Sequence, residues 1–168
     1  YLSLSKSSDG GTKIYGVSGH VQNPGLFELP LGTTAREVLM DHAGGMQPGR
    51  SFRGALPGGA STTFILENHL DLPMDFTSLA PAGSRLGTGT MIVLDDHTCP
   101  IGMLCSLERF FMRESCGWCT PCREGLPWIY ATLEAIESGH GEESDLKILQ
   151  EHCELLQFGN TFCPLAPG

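Results

Sequence analysis

Four thiols define the chemistry open to this chain. Cys116, Cys119 and Cys122 stand three positions apart in Ser115-Cys116-Gly117-Trp118-Cys119-Thr120-Pro121-Cys122-Arg123, and a matching thiol follows far downstream at Cys163. A helix or strand with thiols at i, i+3 and i+6 cannot aim all three at one spot, so the backbone must curl around whatever they hold. Gly117 can take a positive φ and bring amide N–H groups close to sulfur, while Pro121 fixes its own φ and holds Thr120 away from helix. The C-x2-C-x2-C spacing with one remote cysteine is the arrangement of a cubane iron–sulfur site. The ligand set expected for a 4Fe-4S cluster is therefore Cys116, Cys119, Cys122 and Cys163. Structural zinc also takes four thiolates, usually as two separated C-x2-C pairs, which a triple plus a single fits poorly. A disulfide framework is the third possibility, but seven cysteines is an odd number and no secretory signal precedes them.

The elements that must position these thiols follow from the apolar pattern. Beyond Ile101 the period is helical: Leu104, Leu107 and Phe111 form one stripe, Leu126, Ile129, Leu133 and Ile136 a second, and Leu146, Leu149, Cys153 and Leu156 a third. Three amphipathic helices joined by short loops predict a small bundle, with the cysteine loop between its first two helices and Cys163 after its third. The second helix is expected to begin just after Cys122, aiming its positive dipole end and free N–H groups at an anionic cluster. Arg113 and Arg123 would compensate cluster charge or simply lie solvated, and Trp118 would shield the cluster or pack as any aromatic does. Cys153 sits in an apolar stripe and is expected as a small core residue, with Cys99 and Cys105 structural. The six histidines show no paired ligand spacing.

Upstream the period is two. Lys13 to Val21 alternates as a strand, Asn23-Pro24-Gly25 predicts a type II turn with positive φ at Gly25, and Leu26 to Leu29 returns as a hairpin partner. Thr34 and Glu37 make a capping box for a short helix presenting Ala35, Val38, Leu39 and His42 before Gly44-Gly45 stops it. Phe52 to Leu56 and Met91 to Leu94 read as further strands, giving a β-grasp order. The glycine-rich Gly83 to Gly89 segment precedes a strand and lacks the P-loop lysine, so a phosphate cradle is the weaker reading and a loop the stronger; Pro57 to Ser61 is read the same way. The fold class expected is α+β: a β-grasp domain with an amino-terminal extension over 1–97, then a helical 4Fe-4S-binding domain over 98–168.

Composition narrows the partners. A net charge of −9 with only ten basic residues opposes a nucleic-acid surface, so partners are expected to be proteins. No run approaches the roughly 20 apolar residues needed to span a bilayer, the first residues make no signal peptide, and reduced thiolates favour a cytoplasmic location. The chain starts at Tyr1 without a methionine, as a piece of a longer protein would.

With Glu114 to Arg123 and Thr161-Phe162-Cys163 in hand, the chain closely resembles the flavin-bearing, NADH-oxidising subunit of bacterial respiratory complex I. Asn23 to Pro30, Gly32 to Glu37 and His69 to Met74 resemble that subunit's soluble-ligand-binding β-grasp (SLBB) segment. The resemblance implies a carboxy-terminal piece in which Cys116, Cys119, Cys122 and Cys163 ligate a 4Fe-4S cluster that accepts electrons from reduced FMN. FMN and NADH would be bound only by the parent subunit's amino-terminal domain, which has no counterpart here, so no catalytic residue is assigned and hydride transfer belongs to the parent NADH:quinone oxidoreductase. Implied partners are that flavin domain and other peripheral-arm subunits on the cytoplasmic face of the membrane complex, with no membrane span. The diaphorase subunit of an NAD-linked hydrogenase or formate dehydrogenase shares these portions and is the alternative; a zinc-stabilised interaction module is the non-redox one.

Overall fold

In the computed structural model, which describes residues 1–168, the period-two stretch forms β1 (Thr12–Gly19), with Tyr15 and Val17 buried and Ile14 exposed. β2 (Gly25–Pro30) pairs with it antiparallel, Thr12 opposite Pro30 and Val17 opposite Gly25. The hairpin turns differently from expectation. Gly25 is already extended within β2, and the left-handed residue is Gly19, at φ 94°. The cause is non-local: a Cβ on Gly19 would stand 2.1 Å from the Val93 carbonyl oxygen, which also accepts the His20 N–H at 3.2 Å. Gly19→Ala is therefore expected to lower stability by about 2 kcal/mol or more in urea unfolding, through overlap and left-handed strain. Gly25→Ala, whose Cβ would meet Phe27 at an ordinary 3.5 Å, should cost under about 1 kcal/mol.

The capping box forms as expected. Thr34 Oγ1 accepts the Glu37 N–H at 3.2 Å and Glu37 Oε2 accepts the Thr34 N–H at 3.0 Å, starting α1 (Ala35–Glu37). The helix is shorter than its pattern, because the chain widens into a π-type turn over Val38–His42, where the Ala43 N–H reaches the Val38 carbonyl at 3.1 Å. Ala35, Val38 and Leu39 are nonetheless buried, and Gly44 and Gly45 end the segment with φ of 74° and 75°. Lys6 Nζ lies 2.6 Å from Glu37 Oε1, and this bond, with the Thr34 N–H, pulls the Glu37 carboxyl down to about 2. A carboxylate with a lowered folded-state pKa stabilises the fold above its unfolded value, near 4.5, and that contribution fades as pH falls towards about 2. The urea midpoint should drop across that window, and Glu37→Gln should flatten the dependence.

β3 (Phe52–Leu56) and β4 (Thr90–Asp95) complete one four-stranded sheet in the order β2-β1-β4-β3, with β1 parallel to β4 and β3 antiparallel to it. Leu39, Ile65, Met74, Met91 and Val93 pack around Tyr15, whose hydroxyl donates to the Met74 carbonyl at 2.6 Å and whose burial raises its pKa to about 12. The glycine-rich segment has a packing explanation: a Cβ on Gly58 would fall 2.2 Å from the Leu86 carbonyl oxygen, so two loops meet backbone to backbone. The chain divides into two units, Tyr1–His97 and Thr98–Gly168.

In the second unit α2 (Pro100–Glu114), α3 (Thr120–Glu137) and α4 (Glu143–Leu155) follow the three apolar stripes. Leu126, Ile129, Leu133 and Leu156 are buried, with Leu104, Phe111, Cys122 and Leu149 packed against them. Two residues of the third stripe depart from expectation: Leu146 is 63% exposed and Cys153 is exposed rather than in the core. At about 100° per residue, Leu149 and Leu156 share one line, while Cys153 and Leu146 are rotated off it to the same side by roughly 40° and 60°. No helix is long and apolar enough to cross a membrane.

Candidate metal centre

The cysteine loop is held between two helix ends. Ser115 caps α2, its N–H bonding the Phe111 carbonyl at 2.9 Å, and Gly117 takes φ 71° to turn the chain. Cys119 is the N-cap of α3, its carbonyl accepting the N–H groups of Cys122 (3.1 Å) and Arg123 (2.9 Å). The helix thus begins at Thr120, not beyond Cys122, and Pro121 lies inside its first turn instead of holding Thr120 out. Proline is accommodated there because the first amides of a helix have no intrahelical acceptor to lose. Cys119 and Cys122 consequently occupy the positive end of the α3 dipole themselves.

Hydrogen bonds already reach two of the sulfurs. Ser115 Oγ lies 3.1 Å from Cys122 Sγ, and the Phe162 N–H donates to Cys119 Sγ at 3.4 Å, which returns the chain after α4 to the loop one residue before Cys163. Arg123 braces the loop from outside, bonding the Gly117 carbonyl at 3.1 Å and Glu124 at 2.8 Å, while Arg113 is exposed. Trp118 is 76% exposed and so does not pack as a core aromatic. Cys122 and Cys119 are half-buried, whereas Cys116 and Cys163 are exposed. No three Cys, His, Asp or Glu side chains gather about a single point as one metal ion requires. A cubane instead takes each thiolate at a different corner, and the soft thiols, close amides and helix end are the donors it uses.

The other cysteines have separate roles. Cys99 is the N-cap of α2, accepting the Gly102 N–H at 3.5 Å and bonding Glu137 at 3.1 Å, a role its place before Pro100 could have signalled. Burial pushes the Cys105 thiol up, with Glu137 and Glu134 adding to the effect. Sequence reasoning missed the Ser115 and Phe162 contacts, since a hydroxyl or amide beside a cysteine has no periodic signature.

Residues 102–168 match the NADH-ubiquinone oxidoreductase-F iron-sulfur binding region, and residues 14–65 match the SLBB domain. The chain is 54% identical over 168 residues to the NADH-quinone oxidoreductase F subunit of Escherichia coli (strain K12) and 40% identical over 168 residues to that of Streptomyces coelicolor. All of this chain is covered in both, but only 38% and 37% of those relatives, so it spans well under half their length. One polypeptide of the NAD+-reducing [NiFe]-hydrogenase in the H2-reduced state superposes with a TM-score of 0.84 at 30% identity, covering 99% of this chain and 28% of that one. Matched along its whole length and carrying the iron–sulfur binding region, the chain belongs to the family of NADH-quinone oxidoreductase F subunits.

Proposed function

We propose that this chain is the electron-relay portion of an NADH:quinone oxidoreductase, with Cys116, Cys119, Cys122 and Cys163 as the ligands of one 4Fe-4S cluster. The observation that carries the reading is the loop between α2 and α3, with the segment after α4 bonded back to it through the Phe162 N–H and Cys119 sulfur. Bound there, the cluster supplies one-electron transfer between reduced FMN, held by the rest of the parent subunit, and the next acceptor. The chain's own residues present thiolates, amide and hydroxyl donors to sulfur, and the α3 dipole. Residues 98–168 form the cluster domain, and residues 1–97 are a β-grasp module of SLBB type with an amino-terminal extension. The partners are the parent's flavin domain and other subunits of the complex's peripheral arm, on the cytoplasmic face of the membrane.

Anaerobic reconstitution with iron and sulfide tests this. About four irons per chain and a reducible paramagnetic centre are expected; stoichiometric zinc without visible absorbance after iron treatment would instead support a zinc-stabilised module. A second reading, a diaphorase subunit of an NAD-linked hydrogenase, is favoured by the structural match to such an enzyme. Copurification of the parent subunit with H2-dependent NAD+ reduction, and not with NADH:quinone reduction, would select it.

A further inference from the structure

We propose that Ser115 is a positioning residue for the electron relay, donating its hydroxyl proton to Cys122 sulfur and so raising the reduction potential of the site. The inference rests on the ligand assignment above. The contact is short, 3.1 Å from Ser115 Oγ to Cys122 Sγ, and between two neutral groups either atom could supply the proton. The ligand assignment and one observation together fix the direction. A ligating cysteine is a thiolate and has no proton to give, and the Ser115 oxygen already accepts the Gly117 N–H at 3.2 Å, which leaves its own proton free for sulfur. Gly117 N–H, Ser115 hydroxyl and Cys122 sulfur thus form a relay of two hydrogen bonds, each polarising the next.

The placement is rigid on both sides. Ser115 is held by the last turn of α2 through its own N–H, and Cys122 lies in the first turn of α3, so the contact joins two helix ends across the cysteine loop. Ser115 and Cys122 are both half-buried, where a hydrogen bond to charged sulfur is stronger than in water. Uptake of one electron makes and breaks no covalent bond; it adds one negative charge, part of which falls on the thiolate sulfurs, and a donor aimed at one of them stabilises the reduced form more than the oxidised one.

The test is a dye-mediated redox titration with dithionite, followed by electron paramagnetic resonance, on the anaerobically reconstituted full chain carrying Ser115 or its Ala, Thr and Val replacements, with iron counted in each. Ser115→Ala is expected to keep the wild-type iron content but lower the reduced-to-oxidised ratio at the wild-type midpoint about tenfold, or about 59 mV for one electron. Ser115→Thr, which keeps the hydroxyl, should restore the wild-type midpoint, and its near-isostere Ser115→Val should not. Equal midpoints for wild type and Ser115→Ala overturn the proposal. Should Ser115→Ala hold no iron, the Thr and Val pair decides: a lower midpoint for Val supports the proposal, while equal midpoints, or failure of both to load, overturn it in favour of a folding role. Failure of the wild type itself to take up about four irons would instead defeat the ligand assignment.

Discussion

Cys122→Ala is expected to leave the chain unable to retain a four-iron centre, with iron after desalting falling from about four to below about three per chain and the reduced-state signal of the intact cubane lost. Cys122 is the most constrained of the four thiols: its backbone is fixed in the first turn of α3, its side chain packs against the helical core, and Ser115 touches its sulfur. Cys99 is engaged with Glu137 at 3.1 Å and caps α2. Alanine is preferred to serine as the replacement because an alkoxide can still bind iron. The same loss is expected for alanine at Cys116, Cys119 and Cys163, whereas Cys99→Ala, Cys105→Ala and Cys153→Ala should load as the wild type does. Full loading of Cys122→Ala, or loss of iron from Cys153→Ala, would redraw the ligand set. Iron analysis and electron paramagnetic resonance on the seven variants distinguish these outcomes.

The contrast between Cys122 and Cys153 shows what the sequence could reveal of this site. A triple of thiols at fixed spacing is a local pattern and stands out unaided, as do the alternation of β1 and the capping box at Thr34 and Glu37. Expectation failed where the local pattern alone does not decide the outcome. Pro24-Gly25 carries a sound local turn signal, yet the left-handed residue is Gly19, because the Val93 backbone of β4 leaves no room there for a side chain. Cys153 shares an apolar stripe with Leu149 and Leu156, but α4 buries only a narrow line and leaves the thiol outside it. Pro121 marked a helix boundary correctly but from the wrong side, since a proline in the first turn and a proline just past an end look alike in sequence. Ser115 looks like an ordinary loop serine until the turn at Gly117 folds it over Cys122.

Ile129→Ala is expected to destabilise the helical unit strongly and to lower cluster loading without touching any thiol. The core of that unit is small: Leu126, Ile129, Leu133 and Leu156 are its buried residues, and α2 and α4 contribute mainly half-buried side chains. Truncating a buried isoleucine to alanine costs about 2–5 kcal/mol through lost burial and the cavity left behind. At roughly 0.05–0.15 kcal/mol per residue, a unit the size of Thr98–Gly168 holds about 4–11 kcal/mol in all. One substitution therefore removes a large share of it before any cluster is present. The thiols depend on that core for their placement, since α3 carries Cys122 on the same helix as Ile129 and the return to Cys119 is made through Phe162, six residues beyond the buried Leu156. Trp118 and Trp128 are the two tryptophans of the chain and both lie in this unit, so fluorescence follows its unfolding separately from the sheet. The tryptophan urea midpoint should fall sharply in Ile129→Ala and stay unchanged in Leu39→Ala, whose side chain is buried under β1 in the other unit. Reconstitution with iron and sulfide should raise the wild-type midpoint, because a group that binds only the folded state stabilises it by mass action. A tryptophan midpoint for Ile129→Ala equal to the wild type would mean that the helical unit does not depend on this core.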